Sequence, residues 1–232
     1  LKMRSLLLGV AVALMALISA TQELKAQNTS TSISVSRGVK SITHKSGSQR
    51  LNIEYDGEIA FTDDDKAIKS ISRGGYLLIK KTTFGDRREV LAEPNRDGTI
   101  NYEYRVGRRR QEWGKEGQEF LANVLIEVIR TTGIGAESRV NRFYEKGGVT
   151  AVLEEAGSIK SDFVSKIYVD ALLQNHQLSG RELSETALFI SRTMDSDFYI
   201  AELFKDHGDK FLQNNQATEA YLETIGRMDS DH

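Results

Sequence analysis

Between Arg50 and Glu112 the apolar residues return at every second position, and from Gly117 onward at every third and fourth. The first period belongs to strands with one buried face and the second to helices with one apolar stripe, so one chain must hold a sheet followed by helices. Leu51, Ile53 and Tyr55 alternate with polar neighbours, Asp56-Gly57 offers a turn, and Ile59 and Phe61 continue the pattern; a hairpin over 51–62 is expected. Gly74-Gly75 then opens a strand at 76–81, Gly85-Asp86 separates it from 87–93, Asp97-Gly98 opens 99–106, and Gly107 turns the chain into 108–112. Ile100, Tyr102, Tyr104 and Val106 fall on one face. Short strands joined by tight turns predict an antiparallel β-meander with one face to be covered.

The helical half starts with Leu121, Val124, Leu125, Val128 and Ile129, a single stripe stopped by Gly133. A second helix is expected at 136–145, closed by Gly147-Gly148, and a short third one through Val149, Val152, Leu153 and Ala156. Ser161-Asp162 starts another, with stripe Val164, Ile167, Tyr168, Ala171 and Leu172, and Ser179 with Glu182 forms a capping box for its successor. Met194-Asp195-Ser196-Asp197 recurs 34 residues on as Met228-Asp229-Ser230-Asp231, and Ile159-Lys160-Ser161-Asp162 precedes it by 35. Three Ser-Asp starts at this spacing mark a helix-hairpin repeat. The aromatic and proline positions of a tetratricopeptide repeat are missing, so the expectation is a generic α-solenoid-like array over 116–232, after a β-meander domain at 50–115, in an α+β chain. Asp231-His232 falls at the cap of one more helix, where a truncated or frayed end is expected.

Residues 1–26 stand apart. Lys2 and Arg4 precede an apolar run at 6–20, and small Ala26 precedes Gln27, the pattern of a signal peptide cut between Ala26 and Gln27, with Met3 as the natural start. The run is shorter than the roughly 20 residues a membrane-crossing helix needs. A periplasmic or secreted protein is expected, touching the membrane only through the uncleaved signal. Residues 27–49, rich in Ser and Thr, read as a linker or loosely held edge segment. The chain has no Cys, which removes disulfides and a lipid-modified N-terminal Cys. Residues 27–115 carry 17 bases against 12 acids and residues 116–232 carry 11 against 20, opposite signs that suit a bipolar surface and give no dedicated basic face for nucleic acid.

Candidate chemistry is sparse. His44, His176, His207 and His232 sit in different segments, so no metal site is expected, and Asp206-His207-Gly208-Asp209 reads as an inter-helix loop. Asp63-Asp64-Asp65 lacks the spaced oxygens of a calcium loop and reads as a solvated turn. Gly133-Ile134-Gly135 follows a helix and lacks the third glycine of a dinucleotide loop, and no Gly-x-Ser-x-Gly elbow surrounds any serine. No catalytic residue, cofactor or metal is expected, and the chain is read as a non-enzyme. The interaction surface is placed at Arg108, Arg110 and Trp113. Arg108 and Arg110 share one side of a strand, beside Arg87-Arg88, as a basic patch or, preferred, as a charged edge that blocks sheet-to-sheet aggregation. Trp113 is expected as a lid between sheet and first helix.

Taken together, Gly74-Gly75-Tyr76-Leu77-Leu78-Ile79, Arg87-Arg88, Asp97-Gly98, Tyr104-Arg105-Val106-Gly107, the run from Arg130 to Val140, and Ser161-Asp162-Phe163 resemble the uncharacterised extracytoplasmic regions of bacterial BlaR1-type membrane metallopeptidases and their exported stand-alone relatives. The resemblance covers about Leu51 onward and implies a sensing or interaction module. No His-Glu-x-x-His helix is present, so no peptidase residue carries over. The expected function is binding of a protein or peptide partner in the cell envelope, along grooves of the helical array. The alternative is a hydrolase or small-ligand binder with a site near Tyr102, Tyr104 and Trp113.

Overall fold

A computed structural model describes residues 29–36 and 38–228. The expected signal peptide with its expected cut at Ala26–Gln27, the third Ser-Asp start at Ser230 and the expected frayed or truncated end at His232 lie outside these residues. The fold is α+β. Among the described residues nine strands, β1 (Thr29–Ser36), β2 (Val39–Ser46), β3 (Gln49–Asp56), β4 (Ile59–Phe61), β5 (Ile68–Ile71), β6 (Tyr76–Thr83), β7 (Asp86–Pro94), β8 (Ile100–Val106) and β9 (Arg109–Gln111), precede six helices. These are α1 (Lys115–Thr132), α2 (Ala136–Gly157), α3 (Asp162–Asn175), α4 (Gly180–Thr193), α5 (Asp197–Phe211) and α6 (Asn215–Ile225). Among the described residues no helix is long and apolar enough to cross a membrane.

The chain divides into two compact units, one from the segments up to Gly57 and Ile71–Gly117, the other from Glu58–Ser70 and everything from Gln118 on. The first unit is an antiparallel sheet in the order β1-β2-β3-β6-β7-β8-β9. Its buried face comes from alternate residues: Leu51, Ile53 and Tyr55 on β3, Leu77 and Ile79 on β6, Val90 and Ala92 on β7, and Tyr104 on β8. The register lines them up in rows, one running Tyr104, Val90, Ile79, Ile53, Ile42 and Ile33 across the sheet.

Two expectations change here. The stretch 27–49, expected as a linker or loosely held edge segment, instead supplies β1 and β2, which pair with each other at the edge of the sheet, because Ile33 and Ile42 extend the apolar row of Ile53. The hairpin expected over 51–62 does not form: β3 pairs with β2 and β6, whereas β4 pairs with β5 in a separate two-stranded ribbon. The chain leaves the sheet at Gly57 and re-enters at Gly75, and the two crossings are pressed together. A side chain at Gly75 would lie 2.5 Å from the Asp56 carbonyl oxygen, and one at Gly57 would lie 2.3 Å from the Ser72 hydroxyl at a left-handed φ of 78°. The Asp56-Gly57 turn signal was real, but it marks an exit from the sheet.

In the second unit, α1 buries its stripe of Leu121, Val124, Leu125, Val128 and Ile129. Helix α2 is two helices in one run, broken where Gly147 and Gly148 leave helical geometry, at the break expected from the sequence. Beyond it, α2 packs on α3 and α4, α3 on α5, and α4 on α6, giving two layers of stacked hairpins. One core joins Val140, Val149 and Val152 of α2 to Val164, Tyr168 and Leu172 of α3. A second joins Val169 and Leu173 of α3 and Ile190 of α4 to Leu203, Phe204 and Phe211 of α5 and Ala217 and Ala220 of α6. The α4–α6 approach is close because the facing residues are small, and Thr224 donates a hydrogen bond to the Ala187 carbonyl at 3.3 Å.

The capping box at Ser179 forms with both of its bonds. The Ser-Asp starts are capped differently. Ser196 makes no side-chain cap of its own; Asp162, in the first turn of the preceding hairpin, accepts the backbone N–H groups of Asp195 at 2.8 Å and Ser196 at 2.6 Å. A carboxylate at the exposed N–H groups of a helix start is favoured both by charge-assisted bonding and by the helix dipole. Asp162→Ala is therefore expected to destabilise the helical unit by about 2 kcal/mol, and Asp162→Asn by less, as read from urea unfolding followed by circular dichroism.

Candidate functional site

Helix α4 presents Arg181, Glu185, Leu188 and Arg192 to an open groove of about 550 Å³, which Leu153 and Glu154 of α2 and Gln216 of α6 also line. The spacing places them on one side: Arg181 and Arg192 are eleven residues apart, three helical turns, hence roughly 16 Å along the axis at 1.5 Å per residue. Leu153, Leu188 and Phe189 make the apolar part of the wall. Glu185 accepts a hydrogen bond from Thr150 at 3.1 Å, tying α2 to α4 beside the groove. Both arginines are exposed, and neither has a carboxylate partner among the described residues. The groove thus offers two guanidinium groups that form no ion pair among the described residues, with Leu153, Leu188 and Phe189 and the carboxylates of Glu154 and Glu185 in the same lining.

A second concentration of charge lies inside the same unit. Arg130 meets Glu155 at 3.0 and 2.8 Å; Glu155 meets Arg139 at 2.8 Å; Arg139 meets Asp65 at 2.8 Å; Asp65 meets Arg142 at 2.8 Å. Arg139 is 1% exposed, and Arg142 also donates to the Thr62 carbonyl at 3.0 Å. The Arg139 and Arg142 guanidinium groups lie 5.4 and 5.5 Å from the Phe143 ring centre, within cation–π range. The Glu155 hydrogen bond holds the Arg130 proton more firmly than usual, against the opposing effect of burial. Burial pushes the Tyr168 phenol well above its ordinary range, opposed by the charge of Arg139. This chain of alternating charges fastens the β4–β5 ribbon to α1 and α2. Its carboxylates are already taken up by guanidinium groups, so it clamps the fold and leaves little to offer a ligand.

Asp63-Asp64-Asp65 is consequently not a solvated turn throughout. Asp63 is exposed and Asp64 caps its own turn, but Asp65 sits at a left-handed φ of 57° with its carboxylate between two arginines. Asp206-His207-Gly208-Asp209 is not a loop. It lies within α5, where His207 is buried and bonds Asp170 of α3 at 2.6 Å. His176 stacks on Tyr144, and His44 bonds Thr31 across β1 and β2.

The expected interaction residues of the sheet fall at one edge. Arg109–Gln111 is the terminal strand, with Arg108 in the turn before it, and all four side chains are exposed. Arg110 reaches Glu103 at 3.6 Å, and Arg105 reaches the same carboxylate at 3.4 Å. Arg88 bonds Tyr104 and Glu116 instead. Trp113 stacks on Tyr102 at 4.2 Å between ring centres and meets Tyr104 edge-on at 6.5 Å, with Gly117 fitted against its ring. Arg108, Arg110 and Trp113 therefore do not converge on a cavity shown here. The residues the sequence reading missed are Arg181 and Arg192, whose only signal was a pair of bases three turns apart on one helical face.

Compared with known proteins, the chain matches no family model, no curated sequence and no solved structure.

Two outcomes test the clamp. Asp65→Ala leaves Arg139 and Arg142 buried without their shared carboxylate, and a loss of about 3–5 kcal/mol in unfolding free energy is expected. The Tyr168 hydroxyl is buried without a hydrogen-bond partner, so Tyr168→Phe is expected to leave stability unchanged or raise it by about 1 kcal/mol in the same measurement.

Proposed function

We propose that the chain is an exported, non-catalytic binding module whose helical array holds a peptide segment of a protein partner in the cell envelope. The observation that supports this most is the groove along α4, with an apolar patch bracketed by two arginines that form no ion pair among the described residues. Stacked helix pairs present such extended concave surfaces to segments of other proteins. Periplasmic or secreted placement rests on the N-terminal sequence pattern, and the resemblance to extracytoplasmic regions of membrane metallopeptidases agrees with a sensing role.

The groove also suggests what the segment carries. In an extended peptide, residues i, i+2 and i+4 share one side and span roughly 13 Å. An acidic residue at each end with an apolar one between them matches guanidinium, apolar wall and guanidinium, with the flexible arginine stems closing the remaining distance. The alternative of a hydrolase or small-ligand site near Tyr102, Tyr104 and Trp113 has less behind it. Those rings spend their faces on one another, and the Tyr104 hydroxyl is engaged by Arg88 and Glu116.

Fluorescence anisotropy with a labelled peptide bearing Glu at its first and fifth positions and Leu at its third tests the reading. Saturable binding is expected, weakened at least about tenfold by Arg181→Glu or Arg192→Glu, which corresponds to 1.4 kcal/mol. Trp113→Ala is expected to leave it unchanged. Binding that is lost in Trp113→Ala and kept in both arginine variants would move the site to the sheet.

A further inference from the structure

The two edges of the seven-stranded sheet are built in opposite ways. Strand β9 is three residues long, carries Arg109 and Arg110, and follows Arg108, a short charged edge of the kind that discourages further strands. Strand β1 is eight residues long, entirely exposed, and contains no charged residue and no proline. Among the described residues no strand lies beside its outer backbone N–H and C=O groups. Neither a charge nor a proline nor shortness protects that side.

The side chains on β1 are also incomplete as packing. The apolar row through the sheet is 1% exposed at Tyr104, 0% at Val90, Ile79 and Ile53, 2% at Ile42 and then 45% at Ile33. Val35, on the same face, is 65% exposed. The row ends in the open at the strand that lacks a neighbour.

We propose that β1 is the seam of a homodimer, paired antiparallel with β1 of a second copy about a two-fold axis at Ile33. The strand itself argues for that occupant. Without charge, it has nothing to select an acidic or basic foreign strand and nothing to repel a copy of itself. Register decides the rest. Shifting an antiparallel pairing by one residue would set the apolar row of one sheet against the polar side of the other. Of the registers that keep like faces together, the one centred on Ile33 overlaps residues 30–36 and puts Ile33 against the partner's Ile33, Thr31 against the partner's Val35, and Ser32 against the partner's Ser34. The isoleucine row then runs unbroken through both sheets as Ile53, Ile42, Ile33 and back. The register centred on Ser32 overlaps as many residues but sets Ile33 against threonine. The closed two-fold arrangement consumes both free edges and ends the assembly at two, because the outer edges are the arginine-bearing β9 strands.

The absence of native cysteine makes the register testable in the purified full chain. Directly opposed residues of antiparallel strands have Cα atoms about 4.5 or 5.5 Å apart, both within reach of a disulfide. Ile33→Cys is expected to give a covalent dimer under mild oxidation. In Thr31→Cys the introduced thiols lie four residues out of step, roughly 13 Å along the seam, and no cross-link is expected. Light scattering should give twice the single-chain mass for the unaltered protein, and Ile33→Lys should raise the dimer dissociation constant at least about tenfold with the melting temperature of the helical unit unchanged. A single-chain mass at the highest soluble concentration, a dimer that survives Ile33→Lys, or equal cross-linking by the two cysteine variants would each overturn the proposal. The peptide groove lies in the other unit, so its result stands apart from these.

Discussion

Asp65 ties the β4–β5 ribbon to the helices. Its carboxylate is held between two guanidinium groups from α2, one of them almost wholly removed from water. Buried charges persist only when every partner is in place, since an unpaired one costs several kcal/mol. The ribbon of β4 and β5 is therefore obliged to sit with the helices, although in sequence it lies between two adjacent strands of the sheet. The buried Ile59, Phe61 and Ile68 of the same ribbon act in the same direction, and with the ribbon out of the sheet β3 pairs with β6.

Much of the architecture was legible because it rests on local rules. Strands β6 to β9 begin and end close to where Gly74-Gly75, Gly85, Gly98 and Gly107 place them, and the break in α2 falls at Gly147-Gly148. The Ser179–Glu182 box could be read from two residues. What could not be read is long-range. Asp65 and Arg139 are 74 positions apart, and nothing near Asp65 distinguishes it from Asp63, which stays in solvent. His207 looked like part of a loop because Asp and Gly surround it; its partner Asp170 is 37 residues away on another helix. The serine-rich start of the chain hid two strands for a related reason: Ile33 and Val35 are too few to declare a period, and only their alignment with Ile42 and Ile53 gives them meaning.

The groove follows from the same stacking that forms the core. Small residues between α4 and α6 let those helices approach, while the half-buried Leu188 and Phe189 of α4 line the groove together with Leu153 of α2. Arginine at each end of that patch was visible in the sequence only as two scattered bases. Among the described residues neither forms an ion pair, although Glu154 and Glu185 line the same groove, and this distinguishes them from Arg105 and Arg110, which share Glu103.

Asp162 gives the array a direction. The capping contact is unequal: without the earlier hairpin the Asp195 and Ser196 amides lose their acceptor, whereas without the later one Asp162 is a carboxylate left to water. The structure is in that sense a one-way stack. Its packing is mutual all the same: Val169 and Leu173 of α3 and Ile190 of α4 share one core with Leu203, Phe204 and Phe211 of α5, so loss of either hairpin would lay open apolar surface on the other.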